Sequence, residues 1–231
     1  AGAGIQLLAA NQDGFVSNRV PFALDTLPEA FDKEPNNTPA RAQKGTLPLI
    51  INGRIGQKDD LDVFQFTGKA GDTVVAEVYA RRLDSPVDSA IRLTDASGRL
   101  LAFSDDREDL GAGINTHHAD SYFMAELPTD GTYYAHIGDT GRKGGEEYGY
   151  RLRISAPRPD FALRVVPSSA RLRSKGAASL SVYAIRKDGF TGDIKLDLKS
   201  PPTGFTSYPV TLTATQTVGR IRFKTTSAAT K

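Results

Sequence analysis

The sequence predicts an all-β protein built of sandwich domains, and three observations lead to this prediction. Short segments alternate apolar with polar residues, as in 192–199, where every second residue from Ile194 to Leu198 is apolar. The segment 148–154 repeats this pattern, with its apolar residues predicted in the core and Arg151 and Arg153 in solvent. A period of two residues is that of a β-strand with one buried face. Turn sequences rich in Asp and Gly, such as 95–98 and 128–131, separate these segments. The 231 residues include 22 Gly and 13 Pro, as expected for a folded chain with many turns.

Two breaks in the alternation divide the chain into three parts. Proline and polar residues cluster at 27–39 and again at 155–159, which contains Pro157 and Pro159. The predicted parts are therefore a lead-in (1–30), a middle module (31–156) and a tail module (157–231).

The lead-in is predicted to form a strand, a turn and a second strand, at 5–10, 11–14 and 20–24. A hairpin of this size needs a larger sheet to join. It resembles the closing strands of an upstream immunoglobulin-like domain of the IPT/TIG kind. The tail module ends soon after the predicted strand around Ile221 and Phe223, which leaves room for a missing strand. We therefore expect an internal fragment of a larger protein.

Several classes of enzyme are excluded by residue content. The chain has no Cys, so disulfides, thiol catalysis and thiolate zinc sites are ruled out. It also lacks a G-x-S-x-G elbow, an H-E-x-x-H helix and a P-loop. The tripeptide Asp139-Thr140-Gly141 is that of aspartic proteases, but their chemistry needs two such aspartates, which only a homodimer would supply here. We expect no enzymatic activity, with a dimeric Asp139 site as the open alternative.

Charge is distributed unevenly along the chain. From Asp160 onward there are 12 Lys and Arg against 4 Asp, whereas the preceding part has 17 basic and 23 acidic residues. This asymmetry suggests a cation as partner of the acidic part and a polyanionic envelope polymer as partner of the basic part. The simpler alternative is a solvated basic face.

Short motifs in a fixed order connect the middle module with a known family. They are Glu34-Pro35-Asn36-Asn37, Asn52-Gly53-Arg54-Ile55, Asp60-Leu61-Asp62-Val63-Phe64-Gln65-Phe66, Gly71-Asp72, Asp105-Asp106 and Leu127-Pro128-Thr129-Asp130-Gly131-Thr132-Tyr133. Residues 33–155 thereby resemble the bacterial pre-peptidase C-terminal (PPC) domain, a jelly-roll-like β-sandwich found beside secreted proteases and in large envelope proteins. The tail from Pro159 resembles the immunoglobulin-like β-sandwich that follows PPC domains in large planctomycete-like proteins. The resemblance implies a module without catalysis.

The resemblance also implies a calcium site at the N-terminal edge of the middle module, where collagen-binding relatives have one. On an extended backbone, the alternating residues Asp32, Glu34 and Asn36 present their oxygens on one side. Calcium takes six to eight oxygen ligands. The predicted ligands are Asp32, Glu34, Asn36, Asn37, Asp60 and Asp62. Asp32 stands where these relatives carry a longer Glu. The alternative is a linker turn beside a polar hairpin end.

A second acidic run, 105–109, precedes the pair His117 and His118 and suggests another cation site. Adjacent residues of a strand point to opposite faces, so both histidines cannot bind one metal on a regular strand. A loop is the favoured interpretation, and His136 is predicted to be an ordinary strand residue.

These observations predict an accessory or spacer module of a larger protein that is secreted, periplasmic or displayed on the cell surface. Its expected partners are neighbouring domains and extracellular polysaccharide or protein polymers, with neither nucleic acid binding nor membrane insertion. The alternative is a carbohydrate- or protein-binding lectin-like module, which needs exposed aromatic rings. The chain has no Trp, and the candidate rings are Tyr79, Tyr122, Tyr133, Tyr134 and Tyr148.

Overall fold

The computed structural model describes residues 2–106 and 119–226, and nearly all their regular elements are β-strands, which confirms the predicted all-β class. The described residues form two compact units, 2–157 and 158–226. The division lies within the proline-containing segment 155–159. No helix among the described residues is long or apolar enough to cross a membrane.

The first unit contains a β-sandwich of two five-stranded sheets. Its described strands, including those of the lead-in, are β1 (Gly4–Leu8), β2 (Asn11–Gln12), β3 (Phe15–Val16), β4 (Val20–Leu24), β5 (Glu29–Phe31), β6 (Gln43–Lys44), β7 (Leu49–Arg54), β8 (Leu61–Gly68), β9 (Thr73–Tyr79), β10 (Ser89–Asp95), β11 (Leu100–Ser104), β12 (Tyr122–Glu126), β13 (Gly131–Asp139) and β14 (Gly149–Ser155). One sheet has the order β11-β10-β13-β8-β6 and the other β12-β9-β14-β7-β5. Pairing is antiparallel except between β5 and β7 and between β6 and β8.

Alternate residues of these strands form one core between the two sheets. Its members include Ile51, Phe64, Phe66, Leu93, Tyr133, Ile137, Tyr150, Leu152 and Ile154. The period-two pattern thus identifies the inward faces correctly, and the predicted sandwich is confirmed.

In the lead-in, the two predicted strands pair with each other, but the first ends at Leu8 and the predicted turn 11–14 contains β2, which pairs with β3. Strands β1 and β4 pair antiparallel from Gly4 opposite Leu24 to Leu8 opposite Val20. Among the described residues they make a two-stranded sheet of their own. Leu7 and other apolar side chains of this hairpin are exposed. That the hairpin completes an upstream domain stays a prediction.

The outward face of β14 differs from the alternation pattern. That pattern predicts Arg151 and Arg153 in solvent, but they are only 7% and 6% exposed. Arg151 donates two hydrogen bonds to Glu29, at 2.6 and 2.7 Å, and this pairing holds the pKa of Glu29 below its usual value. Arg153 Nη2 lies 2.8 Å from Glu77 Oε2. The prediction was wrong because carboxylates from distant parts of the chain neutralise both guanidinium groups, which makes their burial tolerable.

The second unit is a smaller assembly of strands. Its described strands are β15 (Asp160–Val166), β16 (Ala177–Lys187), β17 (Ile194–Leu196), β18 (Phe205–Tyr208), β19 (Val210–Leu212) and β20 (Val218–Thr225). One sheet has the order β15-β16-β20-β18, and β17 pairs with β19. Ile194 and Leu196 are buried as predicted, whereas Leu198 lies beyond the end of β17 and is half-buried. The immunoglobulin-like character of this unit stays a prediction.

Candidate functional site: an acidic cluster at the end of the first sandwich

Three carboxylates converge where the lead-in enters the sandwich. Asp32, Glu34 and Asp62 each offer one oxygen, and the three oxygens lie within 4.8 Å of one another. Asp32 follows β5 directly and is fixed against β7, since its N–H donates to the Asn52 carbonyl at 3.2 Å and its Oδ2 accepts from the Arg54 N–H at 3.0 Å. Three like charges at this distance repel one another unless a cation or a proton neutralises them.

Asp62 is the deepest member of this cluster. It is fully buried, and its Oδ2 accepts a 2.5 Å hydrogen bond from the Tyr150 hydroxyl. Its Oδ1 has no hydrogen-bond partner among the described residues. Burial raises the pKa of Asp62 to about 8; the Tyr150 hydrogen bond opposes this shift, and neighbouring Glu34 and Asp60 add to it. The carboxylate therefore lies in a place that disfavours its charged form when no cation is present.

Asn36 is the second unusual residue. Its backbone is held in place, since its N–H donates to Glu34 Oε2 at 2.9 Å and its carbonyl accepts from the Val63 N–H at 3.1 Å. Its side chain is fully buried, yet neither the amide nitrogen nor the amide oxygen has a hydrogen-bond partner within the described chain. An unpaired buried polar group costs about 1–3 kcal/mol. This amide thus lacks the partner that burial normally requires.

The remaining two predicted ligands are engaged with each other. Asn37 Nδ2 donates to Asp60 Oδ1 at 2.6 Å, and the Gly56 N–H donates to Asp60 Oδ2 at 2.7 Å. Three of the six predicted residues, Asp32, Glu34 and Asp62, therefore lie together, and the Asn36 N–H bonds Glu34. These four are called the inner group below, and Asn37 with Asp60 forms a pair that holds the adjoining loop. A cleft of about 870 Å³ lies beside them and is lined in part by Asp32, Glu34, Asn37 and Asp60.

Tyr150 and Gly53 support this cluster, although the sequence singled out neither as a site residue. They are directly opposite each other on β14 and β7. A Cβ atom on Gly53 would lie 2.3 Å from the Tyr150 hydroxyl oxygen. The missing side chain therefore leaves room for the tyrosine ring to reach Asp62. A glycine inside a strand is the sequence signal for such a close approach.

Replacing Gly53 with Ala is expected to destabilise the first unit by about 1–3 kcal/mol, because the tyrosine ring must move away from Asp62. Urea unfolding measures the effect. Gly149→Ala is the matched control in the same pair of strands, since a Cβ there would meet only the Gly53 carbonyl at 3.9 Å. Equal effects of the two substitutions would contradict the packing argument.

The second predicted cation cluster lies largely outside the described residues, which omit 107–118 and hence His117 and His118. Asp105 and Asp106, which are described, are exposed.

Asp120, just after this segment, has a structural role. Its carboxylate accepts N–H bonds from Ala80, Arg81 and Arg82 at 3.0, 2.7 and 3.2 Å. It also pairs with the Arg82 guanidinium at 2.6 Å. The short 3-10 turn Arg81–Leu83 is thereby fixed at its start.

His136 and Asp139 are both held by contacts within the sandwich. His136 is buried in β13, and its Nε2 lies 3.0 Å from Thr94 Oγ1. Burial lowers the pKa of His136 to about 4, so the imidazole is neutral at neutral pH. Asp139 accepts N–H bonds from Asp88 and Lys143 at 2.9 and 3.0 Å, which orders the adjoining turn.

The tyrosines that a lectin-like surface would need are not exposed. Tyr133 is buried in the core, and Tyr79, Tyr122, Tyr134 and Tyr148 are half-buried. These five rings therefore form no open stacking platform.

Comparison with known proteins adds partial similarities. No family model matches the chain. The chain is 35% identical over 132 residues to a probable subtilase-type serine protease of Deinococcus radiodurans, a match that covers 49% of this chain but only 16% of the protease.

Two solved structures align with part of the chain. The pre-peptidase C-terminal domain of a collagenase from Bacillus anthracis aligns over its whole length with 52% of this chain, at 20% identity and a TM-score of 0.37. A predicted secreted protein of Eubacterium rectale aligns over 68% of its length with 79% of this chain, at 11% identity and a TM-score of 0.33. The sequence match to the Deinococcus radiodurans protease covers about one sixth of that protein and not the whole of it.

Proposed function

We propose that this chain is a non-catalytic accessory or spacer segment, of the pre-peptidase C-terminal class, in a larger secreted, periplasmic or surface protein. Its first sandwich binds Ca²⁺ at the cluster of Asp32, Glu34, Asn36 and Asp62. The observation that carries the proposal is the convergence of three carboxylates, one of which, Asp62, has a buried oxygen without a partner among the described residues. The Asn36 amide, two residues from Glu34, is also buried without such a partner. A cation would neutralise the carboxylates, and the Asn36 oxygen and Asp62 Oδ1 are donors of the kind it takes.

Calcium suits these donors better than the smaller divalent cations. It accepts carboxylate and amide oxygens in flexible geometry, whereas Mg²⁺ demands a near-ideal octahedron and keeps several waters. The inner group offers four oxygen-bearing side chains, and bidentate binding, backbone carbonyls or water would complete the coordination shell. Asn37 and Asp60 would act as supports, because their polar atoms already bond each other.

The accessory role rests on different observations. The similarity to part of a subtilase-type protease supports a position beside a catalytic domain. The ordered set of motifs that resembles the PPC domain supports the same role. Among the described residues, Asp139, which a catalytic interpretation would use, is engaged in structural contacts with the N–H groups of Asp88 and Lys143.

Calorimetric titration of the EDTA-treated chain with CaCl₂ tests the calcium site. We expect saturable binding with a dissociation constant below about 1 mM, the range of extracellular calcium modules or tighter. Glu34→Gln is expected to weaken binding by about tenfold or more, since it removes a charged ligand. The control Asp130→Asn changes an exposed acid elsewhere, whose Oδ1 accepts from the Ala70 N–H, and is expected to leave binding unchanged. Absence of saturable binding in the unsubstituted chain, or equal loss in both variants, would contradict the proposal.

A further inference from the structure

The second unit carries a row of basic side chains on one strand. Arg220, Arg222 and Lys224 alternate along β20 with Ile221 and Phe223; the basic residues are exposed and the apolar ones buried. The three cations therefore lie on the outward face of the sheet. At 3.2–3.4 Å per residue, their Cα atoms are about 6–7 Å apart along the strand.

Hydroxyl groups and one exposed ring surround this row. Arg220 is opposite Ser181 on β16, and Arg222 is opposite Ser179 on β16 and Tyr208 on β18. The Tyr208 side chain is 45% exposed, and Lys224 Nζ lies 5.7 Å from its ring centroid. This outward face of β16, β20 and β18 is called the basic face below.

The basic face lacks the carboxylates that would balance its charge. Within the described part of the chain, none of the three cations of β20 forms an ion pair. Asp160 shares the outward face of the sheet but lies at the far end of β15, opposite Lys187. Carboxylates opposite these cations would stabilise the sheet by cross-strand pairing, yet Ser179, Ser181 and Tyr208 occupy those positions.

Protection of a sheet edge does not explain the row either. Lysine and other charges on edge strands prevent unwanted pairing with further strands. However, β20 lies between β16 and β18 and is not an edge strand. Three like charges on an interior strand, with polar neutral residues around them, are what a surface for an external polyanion requires.

We infer that the basic face binds an anionic polysaccharide. Its charges are spread along a strand instead of converging on one point, which fits a chain of repeated negative groups rather than a small anion. The hydroxyls of Ser179 and Ser181 add hydrogen-bonding groups for sugar hydroxyls. Single-stranded nucleic acid is a poorer fit, because such sites stack successive bases on several aromatic rings and the exposed ring here is Tyr208.

Binding of the full chain to dextran sulfate, with uncharged dextran of equal length as the reference polymer, tests the inference. We expect binding to dextran sulfate at about 0.05 M salt that weakens at least tenfold by about 0.5 M, since screening shortens the reach of charge. Uncharged dextran is expected not to bind. The calcium-free chain is used, so this result is separate from that of the calcium titration.

Matched double variants locate the surface. Arg220→Gln with Arg222→Gln is expected to weaken binding at least tenfold. Lys195→Gln with Lys199→Gln removes the same charge from exposed positions on and just beyond β17, in the other sheet of this unit, and is expected to change binding less than twofold. Circular dichroism and the unfolding temperature verify that both variants are folded. Equal loss in both variants, no binding by the unsubstituted chain, or tighter binding to a single-stranded DNA of equal charge would overturn the inference.

Discussion

Replacing Glu77 with Gln is expected to lower the free energy of unfolding of the first unit by about 3–5 kcal/mol, the usual cost of removing one partner from a buried ion pair. Glu77 is 2% exposed and contacts two guanidinium groups, Arg82 Nη1 at 3.0 Å and Arg153 Nη2 at 2.8 Å. Gln keeps the size of the side chain but removes the charge that faces Arg153 and one of the two that face Arg82, whose guanidinium also pairs with Asp120. Denaturant unfolding followed by circular dichroism measures the change.

The control for this prediction is an ion pair on the surface. Arg99 pairs with Asp95 at 3.2 Å, but its side chain is 62% exposed. Arg99→Gln is therefore expected to cost less than about 1 kcal/mol, because exposed pairs contribute little. Similar costs for the two substitutions would show that the Glu77 contacts are no stronger than surface pairs.

The buried ion pairs of β14 were not predicted from the sequence. The alternation of apolar and polar residues identified the core face of β14 correctly, since Tyr150, Leu152 and Ile154 are all buried in the core. The same pattern predicted that Arg151 and Arg153 are exposed to solvent. They are buried because they pair with Glu29 and Glu77, which are 122 and 76 residues away in the sequence. Period and polarity are local signals. Whether a cationic side chain can be buried depends on a partner that only the folded sheet brings near it.

The acidic cluster was likewise predicted from the sequence only in part. The alternation of the run 32–36 and the two aspartates at the start of β8 were sufficient to select Asp32, Glu34 and Asp62, which the structure brings together. The sequence did not indicate that Asn37 and Asp60 bond each other, or that Tyr150, 88 residues from Asp62, holds its carboxylate. The Asp62–Tyr150 contact joins β8 of one sheet to β14 of the other, so it depends on how the two sheets pack, which residue type alone does not determine.

Adding calcium is expected to raise the stability of the first unit by about 2.7 kcal/mol when the free ion is at one hundred times its dissociation constant, because only the folded state binds it. For a unit of this size, that corresponds to an increase of about 5–10 °C in the unfolding temperature. Scanning calorimetry in EDTA and in calcium measures the shift. The Gly53→Ala variant identifies which transition belongs to the first unit, since its effect is confined there.

Replacing Asp62 with Asn is expected to affect the two conditions differently. In calcium, the variant loses the deepest carboxylate of the proposed site, and most of the added stability disappears. In EDTA, the same change removes a buried carboxyl group whose charged form is disfavoured by burial and by neighbouring Glu34 and Asp60, so the variant is expected to be as stable as the unsubstituted chain or more stable. The Asn oxygen can still accept the Tyr150 hydroxyl, which keeps that hydrogen bond.

The different effects of Asp62→Asn in calcium and in EDTA distinguish a metal ligand from a carboxylate that only stabilises the fold. If Asp62 only stabilised the fold through Tyr150, Asp62→Asn would keep that hydrogen bond and change the stability in EDTA little. Calcium would then raise the unfolding temperature of both chains equally or of neither. Asp130→Asn, which changes an exposed acid that accepts the Ala70 N–H, is expected to leave the calcium shift intact. Repulsion within an empty cation site requires two effects of Asp62→Asn. The metal-free chain gains stability when this buried carboxylate is removed, and the chain no longer responds to calcium.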